Sequence, residues 1–535
     1  MLHRDRAARM SIPQPARSYS LPMAHAAQLF SSLAPDTRPE PRTSFDHALH
    51  RFLDDFFAAQ PVWATQIGFH AYDDRWPDLS EAGRAGWLAM LRHHRARLQA
   101  LPEEELSRDE RVDRGVVLEA IDSMEFSGAT LREDAWDPLS YVYLAGGGLF
   151  SLLAREFAPW AHRGAAFARR LDGLSNLLQQ ARAALVGLPE RPVSRLHTET
   201  ASRQLAGINE LIEQAMTEAR TRAEAGESPE LVDALSEAAE PALRAIAEFG
   251  RELKEEILPR SQGEGRLGPE LFQAKLRHTL GTDLPFADLL AHARRDYAAV
   301  RAEMLRLARE LWPHWLPDAE MPTSAGAGSQ AAADDAIVRR VLDAVGQEHR
   351  RPHELLEWCA AEVARSEQFC LEHDVIGLPD EPLKVTWTPV YMRAYGMAFL
   401  DSPGLLDKGL PSYFWVTPPD ESKGAEAVES YLREDNDRML SVLCIHEGVP
   451  GHYLQLARSN RSPHLGRAIF SSGLFAEGWA VYVTQVMMDL GYRAEDPATM
   501  LMHWKFYLRA LTNAIIDVQI HTAGLNEEQA LELMV

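Results

Sequence analysis

The run from residue 156 to residue 256 most constrains the fold, because it is rich in Ala, Leu, Glu and Arg. Its apolar residues recur at the helical period of about 3.6, and the pattern breaks near Pro189–Pro192 and Gly226–Pro229. Such a pattern predicts long antiparallel helices, each of which buries one face. Similar stripes recur at 43–57, 81–126, 270–315 and 336–373. We therefore predict a mainly α, large multi-helix fold.

The region 381–418 departs from this helical pattern. Leu383–Pro389 and Ser412–Thr417 are short, aromatic and β-branched, and Pro and Gly bound them. They predict a small β element at about 383–417. An exposed strand edge there could pair with an extended peptide, and a small supporting sheet is an equal alternative.

Four further patterns bear on the organisation of the chain. Residues 1–42 are rich in Arg, Pro and Ser and lack the apolar core of a signal peptide, which predicts a disordered leader. Residues 43–535 are predicted to form a single helical domain, in which 316–335 is a linker or only a surface loop. The chain stops within an amphipathic pattern at 527–535, so we expect a truncated C-terminus. Gly146–Gly148 lack the partners of a phosphate loop and are predicted to form a flexible or tightly packed loop.

Charge and composition exclude several classes of function. The net charge of −23 argues against non-specific binding to nucleic acid or to an anionic membrane. No apolar run approaches the length of a membrane-spanning helix. The three cysteines, Cys359, Cys370 and Cys444, form no disulfide framework, which favours a cytoplasmic location. Cys444 is expected to pack in the core, and the oligomeric state stays open.

The stretch Cys444–Tyr453 contains the residue types of a metal-dependent active site. It places Glu447 between His446 and His452, and Glu477 follows in the sequence Ala-Glu-Gly-Trp-Ala. A hydrolytic zinc site needs three protein ligands and one open position, and imidazole and carboxylate groups suit this ion. His446, His452 and Glu477 are therefore candidate ligands of one Zn²⁺, with Glu447 as the general base.

The spacing of the two histidines is unusual for such a site. The common zinc helix separates its histidines by four residues, whereas six separate His446 from His452. Six residues of a regular helix turn through about 240°, which points the imidazoles apart. Pro450 cannot donate a helical hydrogen bond, and Gly448 and Gly451 tolerate unusual backbone angles. We predict that the helix is interrupted at 448–451 and resumes so that His452 returns to the metal. Imidazoles more than about 8 Å apart would exclude this, given zinc–nitrogen bonds of about 2.0–2.1 Å.

The strings His-Glu-Gly-Val-Pro-Gly-His-Tyr-Leu-Gln at 446–455 and Phe-Ala-Glu-Gly-Trp-Ala-Val-Tyr at 475–482 resemble the signature of a bacterial family, domain of unknown function 885. Its members resemble zinc metallopeptidases of the thermolysin-like clan, in which Glu is the third ligand. Further stretches match at 64–80, 276–282, 411–417 and 509–521, so the resemblance covers most of residues 45–535. It implies a helical fold with a deep cleft and peptidase chemistry. It also implies the same ligands, His446, His452 and Glu477, and the same base, Glu447.

Five residues outside these strings are further candidates. Asp517 and His521 lie one helical turn apart, so Asp517 could orient a ligand and His521 could bind an oxyanion, although a plain surface pair is the alternative. Arg509 is predicted to bind a substrate carboxylate. Tyr391 and Tyr395 are predicted to contact the substrate and to stabilise a tetrahedral intermediate, and packing is their alternative role.

These patterns together predict a zinc-dependent hydrolase. The simplest form is a metallopeptidase that cleaves short peptides by Glu447-assisted attack of metal-bound water. One alternative is hydrolysis of another amide or an ester at the same site. The other is an inert helical binding protein that retains the fold. We expect no nucleic-acid or membrane partner.

Overall fold

A computed structural model describes residues 37–388, 393 and 396–534. The chain is mainly α-helical with a small three-stranded sheet, which confirms the predicted fold class. The helices are α1 Ser44–Ala59, α2 Pro61–Ile67, α3 Glu81–Gln99, α4 Arg108–Phe126, α5 Glu133–Trp136, α6 Leu139–Leu153, α7 Trp160–Ala184, α8 Arg195–Gln204, α9 Gly207–Glu224, α10 Glu230–Glu252, α11 Leu258–Arg260, α12 Pro269–Leu280, α13 Phe286–Trp315, α14 Ser324–Ala327, α15 Gln330–Val345, α16 Leu355–Glu372, α17 Ala425–Glu434, α18 Asp437–Leu443, α19 His452–Asn460, α20 Leu465–Ile469, α21 Gly473–Asp489, α22 Ala498–Ala523 and α23 Glu527–Met534. The strands are β1 Leu383–Trp387, β2 Ala398–Asp401 and β3 Ser412–Val416.

Three of the apolar cores in the described part of the chain hold most of these helices. One lies among α6–α10, where the helical stripes of 156–256 meet as predicted. A second lies among α1–α4 and includes Leu405 and Leu406 from the β2–β3 connection. The third joins α13, α15, α16, α18 and α22 with one face of the sheet. The β2–β3 connection therefore ties the sheet to the N-terminal helices.

Gly146–Gly148 do not form the predicted loop, because all three lie within helix α6. A Cβ at Gly148 would overlap the ring of Trp76. The glycine therefore allows close packing of an indole on the helix, and this requirement outweighs the low helix propensity of glycine.

The sheet has the strand order β1-β3-β2, with β1 parallel and β2 antiparallel to β3. Strands β1 and β3 confirm the two predicted segments, whereas the four-residue strand β2 was not predicted. Phe414 and Val416 of β3 are fully buried in the third core. Strand β2 pairs with β3 on one side only, so its other side is an edge of this sheet.

The segment 316–335 connects α13 to α15 and contains the short helix α14. Trp312 Nε1 donates a hydrogen bond to Ala319 O, and Ala333 is fully buried. The choice between a linker and a surface loop stays a prediction. The predictions of a disordered leader and of a missing C-terminal segment stay predictions.

Candidate metal centre

The helix that carries His446 is interrupted, as the spacing predicts. Helix α18 ends at Leu443 and passes into a π-helical turn at Cys444–Gly448. The Val449–Pro450 peptide bond is cis, and α19 begins at His452. The two histidines therefore lie on different helical segments, and the angle between them is not that of one regular helix.

Gly451 is the residue that the interruption requires. A Cβ at this position would overlap the carbonyl oxygens of Ile445 and His446. The Gly451 N–H donates a 3.0 Å hydrogen bond to Ile445 O, which closes the turn. A Cβ at Gly448, by contrast, would lie 3.5 Å from a Val363 methyl group, an ordinary contact. Close backbone packing therefore explains Gly451, but it does not explain Gly448.

The two imidazoles meet at one point. The ring centroids of His446 and His452 are 4.8 Å apart, with an angle of 84° between the ring planes. Glu477 Oε2 lies 3.7 Å from His446 Nε2 and 3.5 Å from His452 Nε2. Tetrahedral zinc with bonds of about 2.0–2.1 Å holds its ligand atoms about 3.3–3.4 Å apart. The three groups therefore fit a zinc ion, and they lie well within the 8 Å limit set by the sequence argument.

Two carboxylates compete for the role of third ligand. Ligand atoms of His446, Glu447 and His452 all lie within 4.8 Å of one another. Glu447 Oε2, however, accepts a 3.1 Å hydrogen bond from the Leu400 N–H of β2. Glu477 Oε2 faces both Nε2 atoms, and its side chain is 70% exposed. We therefore assign Glu477 to the ligand position and Glu447 to the position beside it.

The charges of the cluster are strongly coupled. Burial raises the pKa of Glu447, although the charges of His446 and His452 oppose this shift. Hydrogen bonds with His446 and His452 lower the pKa of Glu477 well below its usual range. Burial lowers the pKa of His452, but Glu477 and Glu447 outweigh it and raise this pKa overall. The site thus attracts positive charge, which protons or a metal cation can supply.

Aromatic side chains hold the cluster in place. The ring of Phe506 packs at 72° against His446, with centroids 5.1 Å apart. The Arg509 guanidinium lies 5.4 Å from the Phe506 ring centroid, so this predicted substrate-binding residue contacts the ring that packs on His446. Trp479 Nε1 donates a 2.9 Å hydrogen bond to Pro450 O, which ties α21 to the interruption. His446 Nδ1 is buried and has no hydrogen-bond partner among the described residues.

The structure does not bring His521 to the metal cluster. Its Nδ1 accepts a 3.2 Å hydrogen bond from the Leu267 N–H, and its ring stacks on Phe272. Fifteen residues of α22 separate it from Phe506, a length of about 22 Å. Asp517 Oδ1 lies 3.7 Å from His521 Nε2 and is exposed. The functional roles of this pair stay predictions, and no contact with the cluster supports them.

Tyr391 and Tyr395 lie outside the described residues, so their predicted roles stay predictions.

Sequence reasoning missed Leu400, whose backbone N–H positions Glu447. Strand β2 has four residues, too few for a clear alternating pattern. A backbone donor also leaves no side-chain signal, and only the paired sheet places it.

A second cluster of histidines and carboxylates lies among the N-terminal helices. Asp73 Oδ2 is 3.0 Å from His70 Nδ1 and 3.1 Å from His162 Nε2. His70 Nε2 is 2.9 Å from Asp407 Oδ1, so the ring bridges two carboxylates. Thr65 Oγ1 also donates to Asp73, and the fully buried Arg170 donates to Thr65 Oγ1. This cluster joins α2 and α7 to the β2–β3 connection.

Comparison with solved structures finds the same fold. A protein of unknown function from Shewanella oneidensis, described as a candidate lipoprotein, is similar with a TM-score of 0.74 and 29% sequence identity. A candidate lipoprotein from Colwellia psychrerythraea has a TM-score of 0.71 and 15% identity, so it supports the fold alone. Each comparison covers 92% of this chain and 86% of the other chain.

Three further findings stand beside these structures. Within the described ranges, no helix is long and apolar enough to cross a bilayer. No curated protein sequence matches the chain significantly. Residues 61–535 match the family described as "Bacterial protein of unknown function (DUF885)". This match spans most of the chain and includes the whole metal cluster, and the protein therefore belongs to the DUF885 family.

Proposed function

We propose that this protein is a zinc-dependent hydrolase, and that its substrates are short peptides. The observation that carries the proposal is the approach of Glu477 Oε2 to 3.7 Å from His446 Nε2 and 3.5 Å from His452 Nε2. Two imidazoles and one carboxylate form a common ligand set of catalytic zinc. The buried cation-attracting cluster also has an exposed side at Glu477, through which a substrate can enter.

The residues of the cluster then have separate roles. A bound Zn²⁺ would act as a Lewis acid and lower the pKa of a water molecule to about 7. Glu447 would accept the proton from that water and pass it to the leaving amine. The Leu400 N–H would orient the Glu447 carboxylate for this transfer. The Arg509 guanidinium, near the cluster beside Phe506, would bind a carboxylate of the substrate.

The edge of β2 supports a peptide as the substrate. Leu400 is paired with Phe414 of β3 in the sheet, and its N–H points to Glu447 on the other side. This edge of the strand therefore lies beside the proposed base. Extended peptides add to such edges through backbone hydrogen bonds. A small ester or a compact amide gains nothing from this edge, so the peptidase is preferred to the other hydrolase alternatives.

Metal analysis and one substitution test the proposal. We expect one zinc per chain and hydrolysis of short peptides by the wild type. Glu447→Gln should keep the zinc and lower kcat by about 10²–10⁴-fold. Glu248→Gln is the matched control, because Glu248 is an exposed glutamate of α10. A wild type that binds no zinc, or an active Glu447→Gln protein, would identify an inert binding protein or a different chemistry. Faster turnover of small esters than of peptides would favour the esterase alternative.

We also propose a cytoplasmic location, because the three cysteines are all free and buried. The description of the solved relatives as candidate lipoproteins favours the cell envelope instead. Fractionation of cells that express the full-length natural gene separates the two locations.

A further inference from the structure

One face of α21 is apolar and yet exposed to solvent. Leu474 is 51% exposed, Phe475 59% and Tyr482 61%. Glu477 is the single charged residue of the sequence between positions 473 and 488. Exposed side chains on a helix surface are normally polar, and contiguous apolar exposure marks a binding surface. This surface lies beside Glu477, a proposed metal ligand, so a substrate bound at the metal would contact it.

Helix geometry gives the order of residues across this surface. At about 100° per residue, Val481 and Leu474 follow Glu477 around the helix, and Gly478 and Tyr482 come next. Phe475 and Trp479 lie at the far side, about 160° and 200° from Glu477. The opposite face of α21 is buried. We call the exposed residues Leu474, Phe475, Gly478 and Tyr482 the α21 floor.

A large cavity lies at the far side of the α21 floor. Its volume is about 1850 Å³, and both Phe475 and Trp479 line it. Aromatic rings from elsewhere in the chain also line it, namely Phe56, Trp63, Trp87 and Phe470, together with charged side chains that include Arg84, Glu119 and Arg458. The α21 floor therefore connects the metal cluster on one side with an aromatic cavity on the other.

We infer that the α21 floor and this cavity bind the large apolar side chains of the peptide on one side of the cleaved bond. This inference rests on the proposed function and names its substrate class: peptides with Phe, Trp or Leu near the scissile position. The uncharged floor offers no partner to an acidic or basic side chain. It offers apolar area, and the rings of the cavity favour aromatic side chains in particular.

Gly478 allows a sharp test, because it lies in the middle of the floor. A Cβ at Gly478 would meet no atom within 4 Å, so a larger side chain fits the fold. That side chain would nevertheless occupy the space above the floor. Gly86→Leu is the matched control, since Gly86 is an exposed glycine of α3 whose Cβ would likewise meet nothing. Both substitutions replace an exposed helical glycine with leucine.

The first measurement is kcat/KM for a matched pair of peptides that differ only in Phe or Ala beside the scissile bond. We expect the wild type to prefer Phe by about 10–100-fold, the range that apolar pockets reach. Gly478→Leu should lose most of this preference while zinc content and Tm stay unchanged, and Gly86→Leu should match the wild type. Phe475→Ser, a second variant at an exposed position, should also reduce the preference.

The second measurement separates failure of this inference from failure of the proposed function. Binding of fluorescein-labelled Phe and Ala peptides is measured on the Glu447→Gln protein. This measurement does not require the peptides to be hydrolysed. Tighter binding of the Phe peptide, weakened by Gly478→Leu, supports the inference. Zinc-dependent hydrolysis with equal binding of both peptides would overturn this inference alone. A Phe475→Ser protein that changes from dimer to monomer without a change in preference would also overturn it, because the floor would then be a contact between copies. Absence of zinc and of hydrolysis in the wild type would overturn the proposed function.

Discussion

Two of the histidine–carboxylate clusters in the described part of the chain have opposite environments. In the N-terminal cluster, Asp73 is fully buried between His70 and His162, with Arg170 close by. Burial would raise the pKa of Asp73, but its hydrogen bonds to His162 and His70 lower it to about 2. In the metal cluster, Glu477 also faces two imidazoles, but its side chain is 70% exposed.

The difference lies in the origin of the positive charge. Asp73 has its cations inside the protein, because His70 and the Arg170 guanidinium neutralise it. In the metal cluster, the two imidazoles are the positively charged groups that shift the pKa values of Glu447 and Glu477, and Glu477 Oε2 lies close to both Nε2 atoms. Neutral imidazoles leave two negative charges there, which a divalent cation balances. The same residue types thus form a structural cluster in one place and a candidate ligand site in the other.

The largest expected effect separates the two clusters directly. His452→Ala should remove bound zinc and reduce peptide hydrolysis to background, because two ligands rarely hold zinc. His162→Ala is the control from the other cluster, and it should keep zinc in the folded fraction. Metal content by mass spectrometry and kcat/KM measure the outcome. Stoichiometric zinc in His452→Ala would show that the ligand assignment is wrong.

Asp73→Asn should have the largest effect on stability. It leaves His70 and His162 buried without their shared carboxylate, and the loss of one partner from a buried ion pair costs about 3–5 kcal/mol. Urea unfolding measures this loss, with the exposed Glu248→Gln as the control. If Asp73→Asn instead removed zinc without destabilising the chain, the two clusters would not be independent.

Gly451→Ala tests the interruption between the histidines. The added methyl group would overlap the carbonyl oxygens of Ile445 and His446, so His452 should move and zinc affinity should fall by about 10–100-fold. Gly448→Ala is the matched control, because its Cβ makes an ordinary contact. Chelator competition measures both affinities. Equal affinities in the two variants would show that the backbone at 451 tolerates a side chain.

The stability of the N-terminal cluster should depend on pH through His70. Burial by itself lowers the pKa of His70, but hydrogen bonds to Asp407 and Asp73 outweigh it and raise the pKa to about 9. The folded state therefore holds this proton more tightly than the unfolded state, in which the pKa of His70 is about 6.5. The stabilisation is complete below about pH 6.5 and is lost as the pH rises through about 9.

Urea unfolding at pH 6 and pH 9 measures this effect. The wild type should lose about 2 kcal/mol more than His70→Gln over this range. Asp73 gives the opposite dependence at low pH, because its lowered pKa contributes stability that is lost as the pH falls toward about 2. An equal loss in both proteins at high pH would mean that His70 is neutral in the folded state.

The smallest expected effect concerns His521. Loss of its contacts with Leu267 and Phe272 should cost about 1 kcal/mol of stability in His521→Ala. Since about 22 Å of helix separates it from Phe506, kcat/KM should change by less than about threefold. Steady-state kinetics on the peptide substrates measures this. A loss of about 10²-fold or more would restore the predicted oxyanion role.

Much of the fold can be predicted from local sequence patterns. The predictions that differ from the structure do so for clear physical reasons. Apolar residues at the helical period predict α7, α10 and α13, because a helix forms between residues that are close together in the sequence. Gly146–Gly148 lie in a helix and not in the predicted loop, and the packing partner of Gly148, Trp76, is remote in sequence. Strand β2 was missed because its pairing depends on β3, which follows it by more than ten residues.

The sequence by itself determined the helical class, the four candidate residues of the proposed metal site and the need for an interruption between His446 and His452. These depend on residue type and spacing, which are local properties. Only the tertiary structure decided which histidine–carboxylate cluster is neutralised internally and which faces outward. His70 meets Asp407 across 337 positions, and Leu400 meets Glu447 across 47. Such contacts arise from packing between distant segments, so no local pattern reports them.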